Sequence, residues 1–297
     1  MRIELRFGVI LAFCFVLGVM VAGYISYTLE FRQARQEVME KAHVLLTTAL
    51  SVRAYTVEEV ATLVAELGNE KEFHPQMVPS YAAQTTMKGL QQEFPEYSYR
   101  ESSLNPTNVA DRASDWEVGL IRAFRQDGNV SELSGEVGSG KDTRFYVSRP
   151  IRLSNPACLE CHTTPENAPK TMVAKYGAGN GFNWNMGDIV GVQIVEVPVL
   201  PTRQKALNGV LITVGSLTCV FVLTAAIFLL LLRRYVTSPL SSITRIAQSL
   251  SLDREPLAPD GSSHLDGQFA DLERAITRLK TSLDQAMRLF QSKDNRR

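Results

Sequence analysis

Ile189-Val190-Gly191-Val192-Gln193-Ile194-Val195-Glu196-Val197 reads as a β-strand. The stretch is rich in β-branched residues and has a two-residue alternation. Val190, Val192, Ile194 and Glu196 fall on one face; Ile189, Gly191, Val195 and Val197 fall on the other. Tyr97-Ser98-Tyr99-Arg100 and Arg144–Ile151 share the composition, while Gly135–Gly140 and Gly177–Gly181 read as turns. A small antiparallel sheet is therefore expected. Ahead of it, Val38, Ala42, Leu45, Leu46, Ala49, Leu50 and Val52 recur at helical spacing. Val60, Leu63, Val64 and Leu67 continue the pattern, and Gly68 is expected to end it. The stretch from His74 to Ala83, with two prolines, is expected to begin as loop.

Two apolar runs frame this region. Residues 7–29 and 206–232 contain no charged side chain, and each exceeds the roughly 20 residues that cross a bilayer. The first is too long for the apolar part of a cleaved secretory signal, so an uncleaved anchor is expected. Arg233-Arg234 mark the cytoplasmic end of the second. The expected organisation is a transmembrane helix over 7–29, an outer domain over 30–205 and a second transmembrane helix over 206–232. A helical segment follows over 233–290, and then a short tail over 291–297. This topology puts the protein in a bacterial inner membrane, with the outer domain periplasmic and both termini cytoplasmic. With 31 basic and 31 acidic residues, the chain has no electrostatic footprint for nucleic acid.

Within the outer domain lies Cys158-Leu159-Glu160-Cys161-His162, a C-x-x-C-H. That order suits covalent attachment of one haem c. Two thiols add across the vinyl groups, and the adjoining imidazole becomes an axial iron ligand. Half a zinc site or a redox C-x-x-C are the other readings of the same residues. Zinc would need two further ligands, and the chain has no second Cys pair. Cys14 and Cys219 lie inside the apolar runs and read as small membrane residues. Covalent haem attachment is expected on the outer side of the membrane, where the topology puts the motif.

A resemblance extends around the motif. Val78–Ala83, Asn105-Pro106-Thr107-Asn108, Trp116-Glu117 and Arg149-Pro150-Ile151 precede Cys158–His162. Ala168-Pro169, Tyr176-Gly177, Asn180-Gly181-Phe182 and Gly187-Asp188 follow it. In this order they resemble the periplasmic c-type haem sensor family with a PAS-like fold, the Tll0287-like domain, over roughly residues 30–200. The resemblance implies an α+β fold in which haem is held against a small antiparallel sheet behind a long N-terminal helix. It also implies signalling or redox sensing.

His162 is the expected proximal ligand. Some relatives use a cysteine opposite it, and this chain has no free cysteine in its aqueous segments. Candidate sixth ligands are His43, His74, Met77 and Met87; a vacant position would suit gas binding. His43 reads equally as a face residue of an amphipathic helix, His74 as a solvated loop imidazole, and the methionines as core. Arg53, Tyr55, Tyr97 and Tyr99 are candidates to line the pocket or pair with haem propionates, ordinary packing being the alternative. His264 lies in the inner tail, away from the outer domain.

Past the second apolar run, Leu240, Ile243, Ala247 and Leu250 are spaced 3-4-3. After a linker containing Pro256, Pro259 and Gly261, the residues Phe269, Leu272, Ile276, Leu279, Leu283, Ala286 and Phe290 alternate by three and four. Such a seam suits a parallel coiled coil or bundle. The pair of seams resembles a HAMP domain, which implies a homodimer through the tail and anchors. The acidic pair that usually opens the second helix is replaced by Gly267 and Gln268, with Asp266 one position early. The sequence stops at Arg297, so an output is expected in a separate cytoplasmic protein or in a part beyond this sequence. The expected function is a membrane-anchored haem sensor responding to redox state or a small haem ligand. The alternatives are a membrane-anchored electron-transfer cytochrome serving a membrane redox complex, or an accessory subunit. No second catalytic constellation accompanies the motif, so enzymatic turnover is not expected.

Overall fold

A computed structural model describes residues 3–67, 72–251 and 267–294. The expected helix stop at Gly68, the linker with Pro256, Pro259 and Gly261, Asp266, His264 and residues 295–297 lie outside the described residues. The chain forms two compact units, Tyr27–Val210 and a second made of Met1–Ser26 with Leu211–Arg297.

The unit Tyr27–Val210 is built on a four-stranded antiparallel sheet. Its strands are β1 (Ser98–Ser103), β2 (Leu133–Val137), β3 (Arg144–Arg152) and β4 (Ile189–Pro198), in the order β1-β4-β3-β2. The alternation in β4 places its two sets of side chains as expected, with one exception. Val195 and Val197 meet the long helix α1 (Ile3–Tyr55) and α3 (Pro79–Glu93). Val192 and Ile194 meet α4 (Asp115–Gln126). Ile189 joins the α4 side, because the register with β3 shifts between Ile151 and Arg152 and turns the strand end over.

Sequence reading missed β2. Gly135, expected in a turn, lies inside that strand opposite Tyr146. A Cβ there would meet the Tyr146 ring at 3.1 Å, so the glycine makes room for the neighbouring aromatic. The stretch from His74 begins without regular structure, as expected, and Pro79 opens α3, where a first-turn proline loses no helix hydrogen bond. The start of α4 was also unread: Glu117 reaches back to accept the Ser114 backbone N–H at 2.7 Å.

In α1, Val38, Ala42, Leu46 and Ala49 are buried against the sheet as the periodicity predicts. Continuation towards Leu67 is helical through α2 (Ala61–Glu66), but Leu63 and Leu67 are exposed. A π turn at Thr56–Val60 intervenes. One extra residue rotates the following face by about 100°, which carries these leucines away from the core.

The second unit contains residues 3–26 of α1 and 211–232 of α7 (Leu200–Leu232). Phe15 stacks on Phe221 with ring centroids 3.7 Å apart. Both helices are long and apolar enough to cross a membrane. A π turn at Arg233–Thr237 leads into α8 (Ser238–Ser251), which packs against α9 (Gln268–Asp294). Ile243 of the expected seam is buried, whereas Leu272, Leu279 and Leu283 are exposed.

Candidate functional site around the one-turn helix Cys158–His162

Residues Cys158–His162 form a single helical turn, α5, between β3 and β4. Asn155 starts it: its side-chain oxygen accepts the Ala157 N–H at 3.0 Å, and its carbonyl accepts the Cys158 N–H at 3.1 Å. Cys158 and Cys161, three residues apart on a helix, share one face. Both thiols are free and half-buried. Burial pushes the Cys158 thiol above its ordinary pKa despite the nearby Arg53 charge. Burial does the same for Cys161, and Glu160 and Cys158 add to it. Both therefore stay protonated at neutral pH.

His162 is held from three sides. Its Nδ1 lies 2.7 Å from the Gly181 carbonyl oxygen, which can only accept. Nδ1 therefore carries the proton. Burial also pushes the imidazole pKa down, although the Gly181 carbonyl opposes this. A neutral ring with Nδ1–H leaves the Nε2 lone pair available to a metal. The Trp184 ring stacks on the imidazole at 3.9 Å and 15°. The carbonyls that end α5 are satisfied by the same loop: Trp184 N–H donates to His162 at 3.2 Å, and Asn183 N–H to Thr163 at 2.8 Å. Asn183 adopts φ +64° to do so.

That loop is itself clamped. The Asn105 side chain accepts the Gly181 N–H at 3.2 Å and donates to the Phe182 carbonyl at 3.4 Å. Arg112 donates to Asn180 at 3.1 Å. Gly181 has φ +82°, and a Cβ on it would lie 2.1 Å from Thr107 Oγ1. The segments Asn105–Asn108 and Asn180–Phe182, which marked the resemblance in the sequence, thus meet behind His162.

Arg53 is close enough to Cys158 for its charge to oppose the upward push of burial on the thiol, and the guanidinium pairs with Glu101 of β1. The Glu101 carboxylate is buried and also accepts the Tyr99 hydroxyl at 2.6 Å. Glu101 did not stand out in the sequence, yet it draws two of the expected pocket residues together. Tyr97 is elsewhere, beside Lys41 and Glu37 in a groove between α1 and α3. Tyr55 is exposed beside the π turn.

The candidate sixth ligands separate. His43 is not brought to the motif: its Nε2 lies 2.8 Å from Glu132, which also binds Arg149 Nε at 3.0 Å. It stands ten residues before Arg53, about 15 Å along α1. Met87 is core, packed with α1 and the sheet. His74 precedes the short helix Pro75–Met77. Its neighbour Phe73 packs in the cluster of Ala168, Met172 and Phe182 that includes Cys161, and its N–H donates at 2.8 Å to Thr171 of α6 (Lys170–Tyr176). Of the two candidate histidines, only His74 is tied to the motif's surroundings. Two grooves, of about 680 and 480 Å³, run along α1, and neither is lined by α5. No group of three or more His, Cys, Asp or Glu side chains forms a metal cage among the described residues. The donor set of α5 is two thiols on one face and an imidazole with its Nε2 free. This fits covalent haem attachment with one protein ligand to iron.

Comparison with known proteins places these residues in context. The model of the Tll0287-like family matches residues 31–198. Among solved structures, the crystal structure of the cyanobacterial heme-protein Tll0287 is similar at 16% identity. The match covers 55% of this chain and 95% of that chain, with a TM-score of 0.44. No curated protein matches the chain.

Proposed function

Because this chain belongs to the Tll0287-like family, we propose that its outer unit binds one haem c and serves as a membrane-anchored haem sensor. Cys158 and Cys161 would hold the group by thioether bonds, and His162 Nε2 would be the protein's ligand to its iron. The observation that carries this reading is the Nδ1 contact of His162 with Gly181 at 2.7 Å, on the same helical turn as the two thiols. Bound there, haem supplies an iron that changes charge by one electron and can exchange a small axial ligand.

The chain's own residues do the rest. Arg53 of α1 lies near Cys158 and pairs with buried Glu101 of β1. A change of charge at the motif alters the balance of that pair, and with it the packing of α1 on the sheet. Moving an equilibrium from 1:99 to 99:1 takes about 5.5 kcal/mol, and one charge step near partly buried groups can contribute a few kcal/mol of that at an effective dielectric near 20. We read the sheet and its flanking helices as PAS-like and α8–α9 as HAMP-like. In this reading a second copy covers the seam of α9, and a separate cytoplasmic protein takes the output. The two apolar helices anchor the chain in a bacterial inner membrane, with the haem in the periplasm.

The test begins with the full chain purified from a host that matures c-type cytochromes. Pigment that stays with the denatured polypeptide in wild type, and is lost from the Cys158→Ser, Cys161→Ser double variant, supports the attachment. Pigment extracted by acidified acetone refutes it. Cysteine cross-linking along α9 in reduced and oxidised protein then addresses sensing. Identical patterns in both states, with rapid electron exchange to a partner cytochrome, would favour an electron carrier instead.

A further inference from the structure

We propose that Asn105 is a positioning residue for the proximal imidazole: its amide clamps the peptide whose carbonyl holds the His162 Nδ1 proton. The inference rests on the reading of His162 as an iron ligand, and it adds a residue that touches neither the iron nor the imidazole.

The geometry is a two-point clamp. Gly181 N–H donates to Asn105 Oδ1 at 3.2 Å, and Asn105 Nδ2 donates to the Phe182 carbonyl at 3.4 Å. These contacts bracket the Gly181 carbonyl, which accepts His162 Nδ1–H at 2.7 Å. A backbone N–H must donate and a carbonyl must accept, so the orientation of the Asn105 amide is fixed by its partners. Gly181 and Phe182 are both buried, which makes an unmade hydrogen bond costly there. Asn105 is tethered in turn to β1, through its own N–H to Ser103 Oγ at 3.3 Å. The Asn105 side chain thus links the carbonyl that polarises the imidazole to the sheet. A hydrogen bond from a ligating imidazole to a carbonyl raises the ligand's basicity, which favours ferric iron. Loosening the clamp lowers that basicity.

The experiment follows the His162 Nδ1 proton by NMR in the full chain labelled with ¹⁵N-histidine and reduced. The midpoint potential and the haem content per chain are measured alongside. In wild type the proton exchanges slowly. In Asn105→Ala it exchanges at least tenfold faster and the potential moves upward, while covalent haem content is unchanged. Asn105→Asp keeps the acceptor for Gly181 N–H, so its exchange rate falls between wild type and Asn105→Ser. Asn185→Ala, an exposed position in the His162-side loop without either arm of the clamp, leaves the exchange rate as in wild type. Fast exchange in wild type overturns the inference, as does equal acceleration in Asn185→Ala. If Asn105→Ala fails to fold, the order wild type, Asp, Ser decides, and any other order overturns the proposal. A wild-type chain without covalent haem would sink the haem reading alone, because the Nδ1 proton and its response to Asn105 can be measured on that chain too.

Discussion

Arg53 of α1 and Glu101 of β1 form an ion pair in which the carboxylate side chain is 3% exposed and the guanidinium side chain 22%. The other carboxylate oxygen accepts the Tyr99 hydroxyl at 2.6 Å. Removing one partner of a buried pair strands the other charge, at a cost of about 3–5 kcal/mol. Glu101→Ala should therefore destabilise the unit Tyr27–Val210 towards the lower end of that range, because Arg53 keeps some water. Arg53→Met combined with Glu101→Leu should recover most of the loss. Denaturant unfolding of the full chain checks both. A double variant no better than Glu101→Ala would remove the pair as the cause.

Two glycines with positive φ separate backbone conformation from crowding. Gly187 has φ +88° with open space where a Cβ would go, whereas Gly181 has φ +82° with Thr107 Oγ1 2.1 Å from that position. Gly187→Ala should cost about 1–2 kcal/mol, the left-handed penalty alone. Gly181→Ala should add about 1–3 kcal/mol of overpacking to a similar penalty. Equal losses for the two in thermal unfolding would contradict the close approach.

Acid sensitivity should trace partly to Glu132. Burial pushes its carboxyl pKa up, but hydrogen bonds from His43 and Arg149 outweigh burial and hold it below 4.5. A carboxylate lowered in the folded state contributes stability that is complete above the unfolded value. That contribution is lost as pH falls through the folded one. Glu132→Gln should flatten the decline in stability below pH 4.5. An unchanged acid limb would assign the decline to other groups.

Leu279 and Leu283 of α9 are 73% and 60% exposed in one copy. If a second copy covers that seam in parallel, Leu279→Cys should form an intermolecular disulfide under mild oxidation. Leu279→Asp should then weaken the dimer in detergent. Sedimentation and non-reducing gels distinguish these outcomes from a monomer.

Some of this molecule was legible residue by residue. The buried face of α1 follows from helical spacing, and the core strand β4 follows from its alternation, because both patterns repeat over many residues. β2 was not legible: five residues containing a glycine carry too little pattern, and only Tyr146 on the neighbouring strand explains Gly135. The outward turn of Leu63 and Leu67 was hidden for a related reason, since one π turn changes the phase without changing the composition.

For the candidate site, local sequence alone determined the donor set, because two thiols and an imidazole within five residues need only one helical turn to share a face. Tertiary structure decided the state and surroundings of those donors. Gly181, nineteen residues beyond His162, assigns the Nδ1 proton, and Asn105, seventy-six residues before Gly181, holds that carbonyl in place. Glu101 draws Arg53 away from solvent, and Glu132 occupies His43. Each of these is a hydrogen bond or ion pair between distant parts of the chain. Such partners carry no periodic signature, and folding alone brings them within reach of one another.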